Sequence, residues 1–261
     1  MSTETDMAER FPKDVAEHEI TVLRDDGLYR HVRFLRTAVN PETGKREKSS
    51  FYWFDLITWP GCLAVNGDCG SFLFSRTDDM FEFFRGGRIN PGYWAEKVRA
   101  GGRVKEYSED RFRELVADYI NSGDEEFPSL AQEWPGLAGA VEKQIFTDGE
   151  IWHEHGARAA LTEFSHGVTF KGKCPSCDAA VEGLTEADAY SWASQHRVMA
   201  GHAVYPSRVV GFEFTDVWEW DLGDWEWQFL WCCHAIQWGI GRYDEGHGSV
   251  KRPAETVELP A

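Results

Sequence analysis

Phe51-Tyr52-Trp53-Phe54-Asp55-Leu56-Ile57-Thr58-Trp59 places seven aromatic or aliphatic side chains in nine positions. Residues this bulky suit a pleated, half-buried surface, so the stretch reads as a buried or half-buried strand. Pro60-Gly61 ends it. Upstream, Ile20–Arg24 and Leu28–Arg36 flank the turn signal Asp25-Asp26-Gly27, and Asn40-Pro41-Glu42-Thr43-Gly44 marks a second turn. Downstream, Cys62–Val65 and Ser71–Phe74 bracket Asn66-Gly67-Asp68. Four or five strands before residue 76, joined by short turns, predict a mostly antiparallel sheet.

Past residue 76 the pattern turns helical. Thr77-Asp78-Asp79 predicts a short helix through Arg85, and Asn90-Pro91 predicts another, with its stop at Gly101-Gly102. Ser108 precedes Phe112, Leu115, Val116, Tyr119 and Ile120, an amphipathic stripe. From Ser129 to about Ser165 two more helices are expected, with a break at Thr147-Asp148-Gly149. Thr185–Ala200 reads as a helix, Val209–Val217 as a late strand returning to the first sheet, and Leu222–Tyr243 as a buried helix apolar on nearly every face. The expected fold is α+β: an N-terminal mostly antiparallel sheet, a helical region, a late strand and a long buried C-terminal helix. The divisions are a β-rich region 1–76, a helical region 77–166, a Cys-containing insertion 167–184, a helix-strand-helix region 185–243 packing back on the core, and a polar, frayed tail 244–261.

Apolar residues make up 42% of the 261 positions, enough for a folded globular protein. Charge is the unusual property: 27 Lys+Arg against 44 Asp+Glu gives a net −17. Such a chain is repelled by phosphate backbones and anionic lipid, which argues against direct nucleic-acid or membrane-surface binding. The N-terminus lacks the basic and apolar regions of a signal peptide, and the sequence lacks the run of about 18 apolar residues that a membrane span needs. A soluble, intracellular protein is the expectation. Neither Gly-x-x-x-x-Gly-Lys-Ser/Thr nor a strand-linked Gly-x-Gly-x-x-Gly is present, so nucleotide chemistry finds no support.

Six cysteines in an intracellular chain of this size do not make a disulfide framework. Cys174-x2-Cys177 is the sharpest local motif, because that spacing offers two thiolates to one tetrahedral zinc. His196 and His202 follow after intervals of eighteen and then five residues, the first longer than a zinc finger normally uses. Cys232 or Cys233 are alternative ligands. The plain readings are two reduced thiols in a turn, or a redox pair without metal. Any zinc is expected to be structural.

Trp152-His153-Glu154-His155 is no metalloprotease helix, since His-x-His on a helix points its rings apart. Cys232-Cys233-His234 reads as core packing rather than a nucleophile. Asp55 and Asp68 sit near strand ends, where carboxylates hold metals or substrates, but without a partnering set.

Six of the twelve tryptophans and six carboxylates fall within Val209–Gly241, which has no Lys or Arg. Its densest part, Asp216-Val217-Trp218-Glu219-Trp220-Asp221-Leu222-Gly223-Asp224-Trp225-Glu226-Trp227, interleaves four indoles with five carboxylates. Indole and carboxylate together suit an Arg-rich protein surface, through cation–π contacts and charge-assisted hydrogen bonds. The candidate partner-binding residues are therefore Asp216, Trp218, Glu219, Trp220, Asp221, Asp224, Trp225 and Glu226. The competing reading is a strand-to-helix junction with tryptophans in the core and acids in water.

Two blocks carry a resemblance. Phe51–Pro60, Gly67-Asp68, Phe72–Ser75 and Asp79–Arg85 form one; Trp218–Asp221, Phe229–Ile240 and Tyr243-Asp244 form the other. Together they resemble a family of tailed-bacteriophage accessory proteins for which no activity is named. The resemblance implies expression in a bacterial host cytoplasm and carries over no catalytic residue. Acidic phage proteins of this size often inhibit host defence, the Gabija anti-defence proteins being a comparison class without a shared motif. The expected function is a phage-encoded inhibitor that binds and occludes a DNA-handling host defence protein or nuclease complex. A metal-dependent enzyme on a small or nucleotide substrate and a phage assembly factor are the alternatives. A homo-oligomer is compatible with each.

Overall fold

The computed structural model describes residues 3–39, 42–124 and 126–247. The chain forms two compact units: one runs to Glu106 and resumes at Trp225, and the other is Tyr107–Asp224. The elements of the first stretch are α1 (Thr3–Asp14), β1 (His18–Asp26), β2 (Tyr29–Val39), β3 (Arg46–Trp59), β4 (Cys62–Gly67), β5 (Gly70–Ser75), α2 (Met80–Phe84), α3 (Pro91–Ala95) and β6 (Val98–Gly101). The chain leaves this unit through β7 (Lys105–Tyr107). Then follow α4 (Glu109–Asn121), α5 (Leu130–Glu133), α6 (Leu137–Val141), a π-helical turn Glu142–Thr147, α7 (Glu154–Glu163), β8 (Thr169–Lys173), β9 (Ala180–Leu184), α8 (Glu186–Ala200) and β10 (Ser207–Val209). It returns through β11 (Gly223–Trp225) to α9 (Trp227–His247).

The α+β fold holds. Among the described residues, β1 to β6 form one antiparallel sheet in sequential order. The period-2 alternation of strands sends Val32, Phe34, Phe54, Leu56, Leu63, Val65, Phe72 and Phe74 into one core with α9 and with Met7 and Phe11 of α1. In α9, Phe229, Leu230, Trp231, Cys232, Cys233, Ala235, Ile236, Ile240 and Tyr243 are all buried, as expected of a helix surrounded by protein. Gly239 permits the close approach: a Cβ there would lie 2.8 Å from Leu56 Cδ1 and 3.1 Å from the Phe34 ring.

Several boundaries differ from expectation. The C-terminal helix begins at Trp227 rather than Leu222, because Leu222 is buried in the second unit's core and β11 is extended. It runs past Tyr243 into the expected tail, whose remainder, 248–261, lies outside the described residues, as do Asn40 and Pro41 of the second predicted turn. Gly101-Gly102 does not stop a helix: α3 ends at Ala95, and Val98–Gly101 pairs with β5 as the sixth strand. The late strand is only Ser207–Val209 and pairs with β8, not with the first sheet. Its expected continuation breaks at Gly211, which a Cβ would press to 2.6 Å from the Trp134 ring, and Phe212 and Phe214 then turn into the second core. It is α9, not the late strand, that returns to the first sheet.

Two polar groups tie the first unit together. Asp79 caps α2 by accepting from Phe81 N at 2.9 Å and takes two hydrogen bonds from Arg30, both 2.8 Å. The Arg30 side chain is only 12% exposed, so Asp79→Ala leaves a nearly buried cation without its carboxylate. That should cost about 3 kcal/mol, the lower edge for breaking a buried pair, read from urea unfolding midpoints. Asp79→Asn, which keeps a cap acceptor, should lose less.

His18 is buried, with Nε2 donating to Tyr52 O at 3.0 Å and no partner for Nδ1. Burial holds its pKa below the ordinary imidazole value of 6.5, and burial does the same to His234. The unfolded chain therefore binds protons that the folded one refuses, and stability should decline as pH falls below about 6.5 towards the folded values. Burial alone would raise Asp55 and Asp79, but hydrogen bonds from Arg33 and His31 to Asp55, and from Arg30 to Asp79, hold both below 3.8. Their contribution is complete above that value and is lost in a second, more acidic window. Denaturant titrations at stepped pH should show two declines; a flat profile between pH 7 and pH 5 would contradict the placement of the histidines.

Candidate metal centre

In the second unit, Ser108 caps α4 by accepting from Arg111 N, as its stripe predicts, and Phe112, Val116 and Ile120 enter a core with Leu137, Val141, Ile145, Leu161 and Phe164. The Cys-containing stretch 167–184 lies within a small substructure of this unit that has its own cluster of buried residues. Strands β8 and β9 form an antiparallel hairpin, with β10 along the other edge of β8. Cys174-Pro175-Ser176-Cys177 makes the knuckle, closed by Cys174 N donating to Ala179 O at 2.9 Å. Thr185 caps α8 by accepting from Asp188 N. Ala189, Trp192, Ala193 and His196 follow at helical spacing, with both alanines buried and the Trp192 and His196 rings stacked at 5.3 Å. Gly172 lets the helix settle on the hairpin, since a Cβ there would sit 2.8 Å from Trp192. At the C-terminus Gly201, with φ +72°, reverses the chain and brings His202 back beside the knuckle.

The result is a four-ligand cluster. Cys174 Sγ lies 3.5 Å from His202 Nδ1, Cys177 Sγ lies 3.6 Å from His196 Nε2, and all four donor atoms fall within 4.8 Å of one another. Metal–sulfur bonds of about 2.3 Å and metal–nitrogen bonds of about 2.0–2.1 Å, set at tetrahedral angles, require a sulfur–nitrogen edge of about 3.6 Å. The cluster is therefore geometrically able to hold a metal ion. Burial opposes ionisation of Cys174, but the Ser176 N–H at 3.4 Å and hydrogen bonds from Cys177 hold its pKa below the ordinary thiol value. N–H donors of this kind orient and stabilise a metal-bound sulfur. The long interval before His196 accommodates all of β9 and the first ten residues of α8. Strand, knuckle, strand and helix follow in the order of a Cys2His2 ββα unit.

Cys232 and Cys233 do not belong to this cluster. Both are buried in α9, the Cys232 thiol pointing to Cys69 O at 3.8 Å, and burial pushes both thiols up. Asp55 is engaged by Arg33 and His31 at 2.8 Å, and Asp68 accepts from Tyr52 N at 3.0 Å. His153 caps α7 by accepting from Gly156 N at 2.7 Å. It and His155 border an open cleft of about 570 Å³, together with Gln144, Asp148, Glu150 and Glu163. Sequence reading missed this cleft, which the π-helical turn and α7 form between them.

The acidic-aromatic segment straddles the boundary between the units, which falls between Asp224 and Trp225. On the second unit Trp218 is 71% exposed, and Asp216, Glu219 and Asp221 are exposed around it. Trp220 is half-buried against Tyr119 at 4.9 Å and Phe214 at 5.8 Å. Asp224, Trp225 and Glu226 are half-buried. In the first unit Trp225 lies under the Lys105 ammonium at 4.5 Å and against Phe229 at 5.7 Å. Burial raises the Glu226 carboxyl above its ordinary value, and the neighbouring Glu106 adds to this.

No known protein family, curated protein or solved structure matches this chain. Among the described residues, no helix is long and apolar enough to cross a membrane.

Proposed function

We propose that Cys174, Cys177, His196 and His202 hold a structural zinc ion, and that the protein acts by binding a partner rather than by chemistry at that metal. The observation that carries the reading is the full donor set: four protein ligand atoms within 4.8 Å of one another, two of their sulfur–nitrogen edges at the tetrahedral length. A catalytic zinc keeps a position open for water or substrate. Two thiolates and two imidazoles also suit zinc better than the oxygen-seeking divalent cations. Metal analysis of protein purified without added zinc should give one zinc per chain. A ratio far below one overturns the zinc assignment.

The partner in this reading is a host defence protein or nuclease complex with a basic, DNA-handling patch, and the chain is a phage-encoded inhibitor that occludes it in the bacterial cytoplasm. The net charge of −17 and the exposed Trp218 among Asp216, Glu219 and Asp221 support it. Carboxylates speed encounter with a basic patch within about one Debye length, roughly 8 Å at physiological salt, while a desolvated indole holds the complex. Replacing Asp216 and Asp221 with Asn and Glu219 with Gln should slow association with a captured host protein at least about tenfold. Dissociation should change little. Equal binding by this variant and the parent, with the fold intact, overturns the assignment of this surface.

A further inference from the structure

We propose that the Cys174–Cys177 knuckle is a peroxide-sensitive switch, in which oxidation of the two thiolates to a disulfide expels the metal and loosens the β8–β9–α8 structure. The inference rests on the structural-zinc reading and concerns its regulation. Of the six cysteines, Cys177 is the exposed one, Cys62 is half-buried and the others are buried. Burial pushes the Cys69 thiol up to about 12, and oxidation follows thiolate character and exposure. An oxidant in solution therefore meets Cys177 first. Its resolving partner is already in place, because Cys174 sits three residues away with its sulfur within 4.8 Å of the Cys177 sulfur.

The step balances with hydrogen peroxide as the named oxidant. The Cys177 thiolate attacks one peroxide oxygen, the O–O bond breaks, and a sulfenic acid forms while the departing hydroxide takes a proton. The Cys174 thiolate then attacks the Cys177 sulfur, the S–S bond forms, and the second hydroxide leaves and is protonated. Two thiolates, one peroxide and two protons give one disulfide and two waters, the two sulfurs supplying the two electrons that reduce the peroxide. Zinc keeps its +2 charge throughout and departs because a disulfide sulfur is a poor ligand.

Loss of the metal matters here because little else holds this structure. Its own cluster of buried residues is Cys174, Ala193 and Val204, with Ala179 and Trp192 half-buried against them. One of these three is itself a ligand.

The test uses the full chain as purified, with its zinc content measured first. One equivalent of hydrogen peroxide is added, released zinc is followed with a chromogenic chelator, and disulfides are mapped by mass spectrometry. The expected result is close to one zinc released per chain, a Cys174–Cys177 disulfide, and recovery on adding dithiothreitol and zinc. Cys62→Ser should release zinc as the parent does. Zinc present at the start but retained, or released with Cys177 oxidised and no Cys174–Cys177 disulfide, overturns the switch and leaves the zinc centre standing. Absence of zinc from the purified chain overturns both.

Discussion

Stripping the proposed zinc with a chelator should melt the Thr169–Val209 region and leave the six-stranded sheet folded. The size of the effect follows from how little apolar surface the region buries. Four small or medium side chains (Cys174, Ala189, Ala193 and Val204) and a half-buried Trp192 cannot offset the entropy of ordering a hairpin and a fifteen-residue helix. In small Cys2His2 units zinc binding supplies about 10–16 kcal/mol at neutral pH, most of it expressed as folding. Hydrogen exchange with and without chelator checks this. Amides of β8, β9 and α8 should lose protection, while those of β2 to β5, whose core is separate, should keep theirs. His202→Ala should give the same regional loss without chelator. Unchanged protection in α8 after verified metal removal would mean that the metal is peripheral to this fold.

Trp231→Ala should be the most destabilising single change in the first unit, costing about 3–5 kcal/mol. Trp231 is fully buried in the second turn of α9 and meets Phe11 at 5.3 Å and Phe54 at 5.5 Å, both edge-on. Its Nε1 donates to Asp14 at 3.2 Å, so truncation opens a cavity and also strips a partner from α1. Chemical unfolding monitored by circular dichroism should show the midpoint fall with little change in slope. A midpoint equal to that of the parent would place α9 at the periphery. Phe229→Leu, which keeps most of the volume of another fully buried α9 residue, should cost under about 1.5 kcal/mol.

What the sequence disclosed depends on the range over which each signal acts. The strand Phe51–Trp59 was legible because its composition admits one environment, and the Ser108 and Asn90-Pro91 caps because a cap is decided within four residues. The Cys174/Cys177/His196/His202 set was legible as ligand chemistry, although its partners lie on a knuckle, a helix and a reversed chain end that sequence spacing does not bring together. The helix α1 was missed: Met7 and Phe11 are its only buried residues, set in an acidic segment that reads as an exposed terminus. The end of the late strand was missed because tertiary contact decides it, Gly211 lying against Trp134, seventy-odd positions earlier. The start of α9 was misplaced because apolar periodicity continues through Leu222, which belongs to a different core. The cleft beside His153 left no local trace, since its polar lining is shared among the π-helical turn, α7 and the segment that joins them.

The division of the chain has a consequence for biosynthesis. Tyr107–Asp224 is continuous, and Ser108 N donating to Leu222 O at 3.1 Å joins its two ends. It can fold as soon as it leaves the ribosome. The unit that begins the chain cannot: its sheet is made first, but the helix that covers the Phe34, Phe54 and Leu56 face is made last. At about 5–20 residues per second, the intervening stretch keeps that apolar face waiting for of order ten seconds. During that interval the nascent sheet exposes an apolar face of the kind chaperones bind, and slowing translation between codons 107 and 224 should lower the yield of native protein more than slowing it after codon 247.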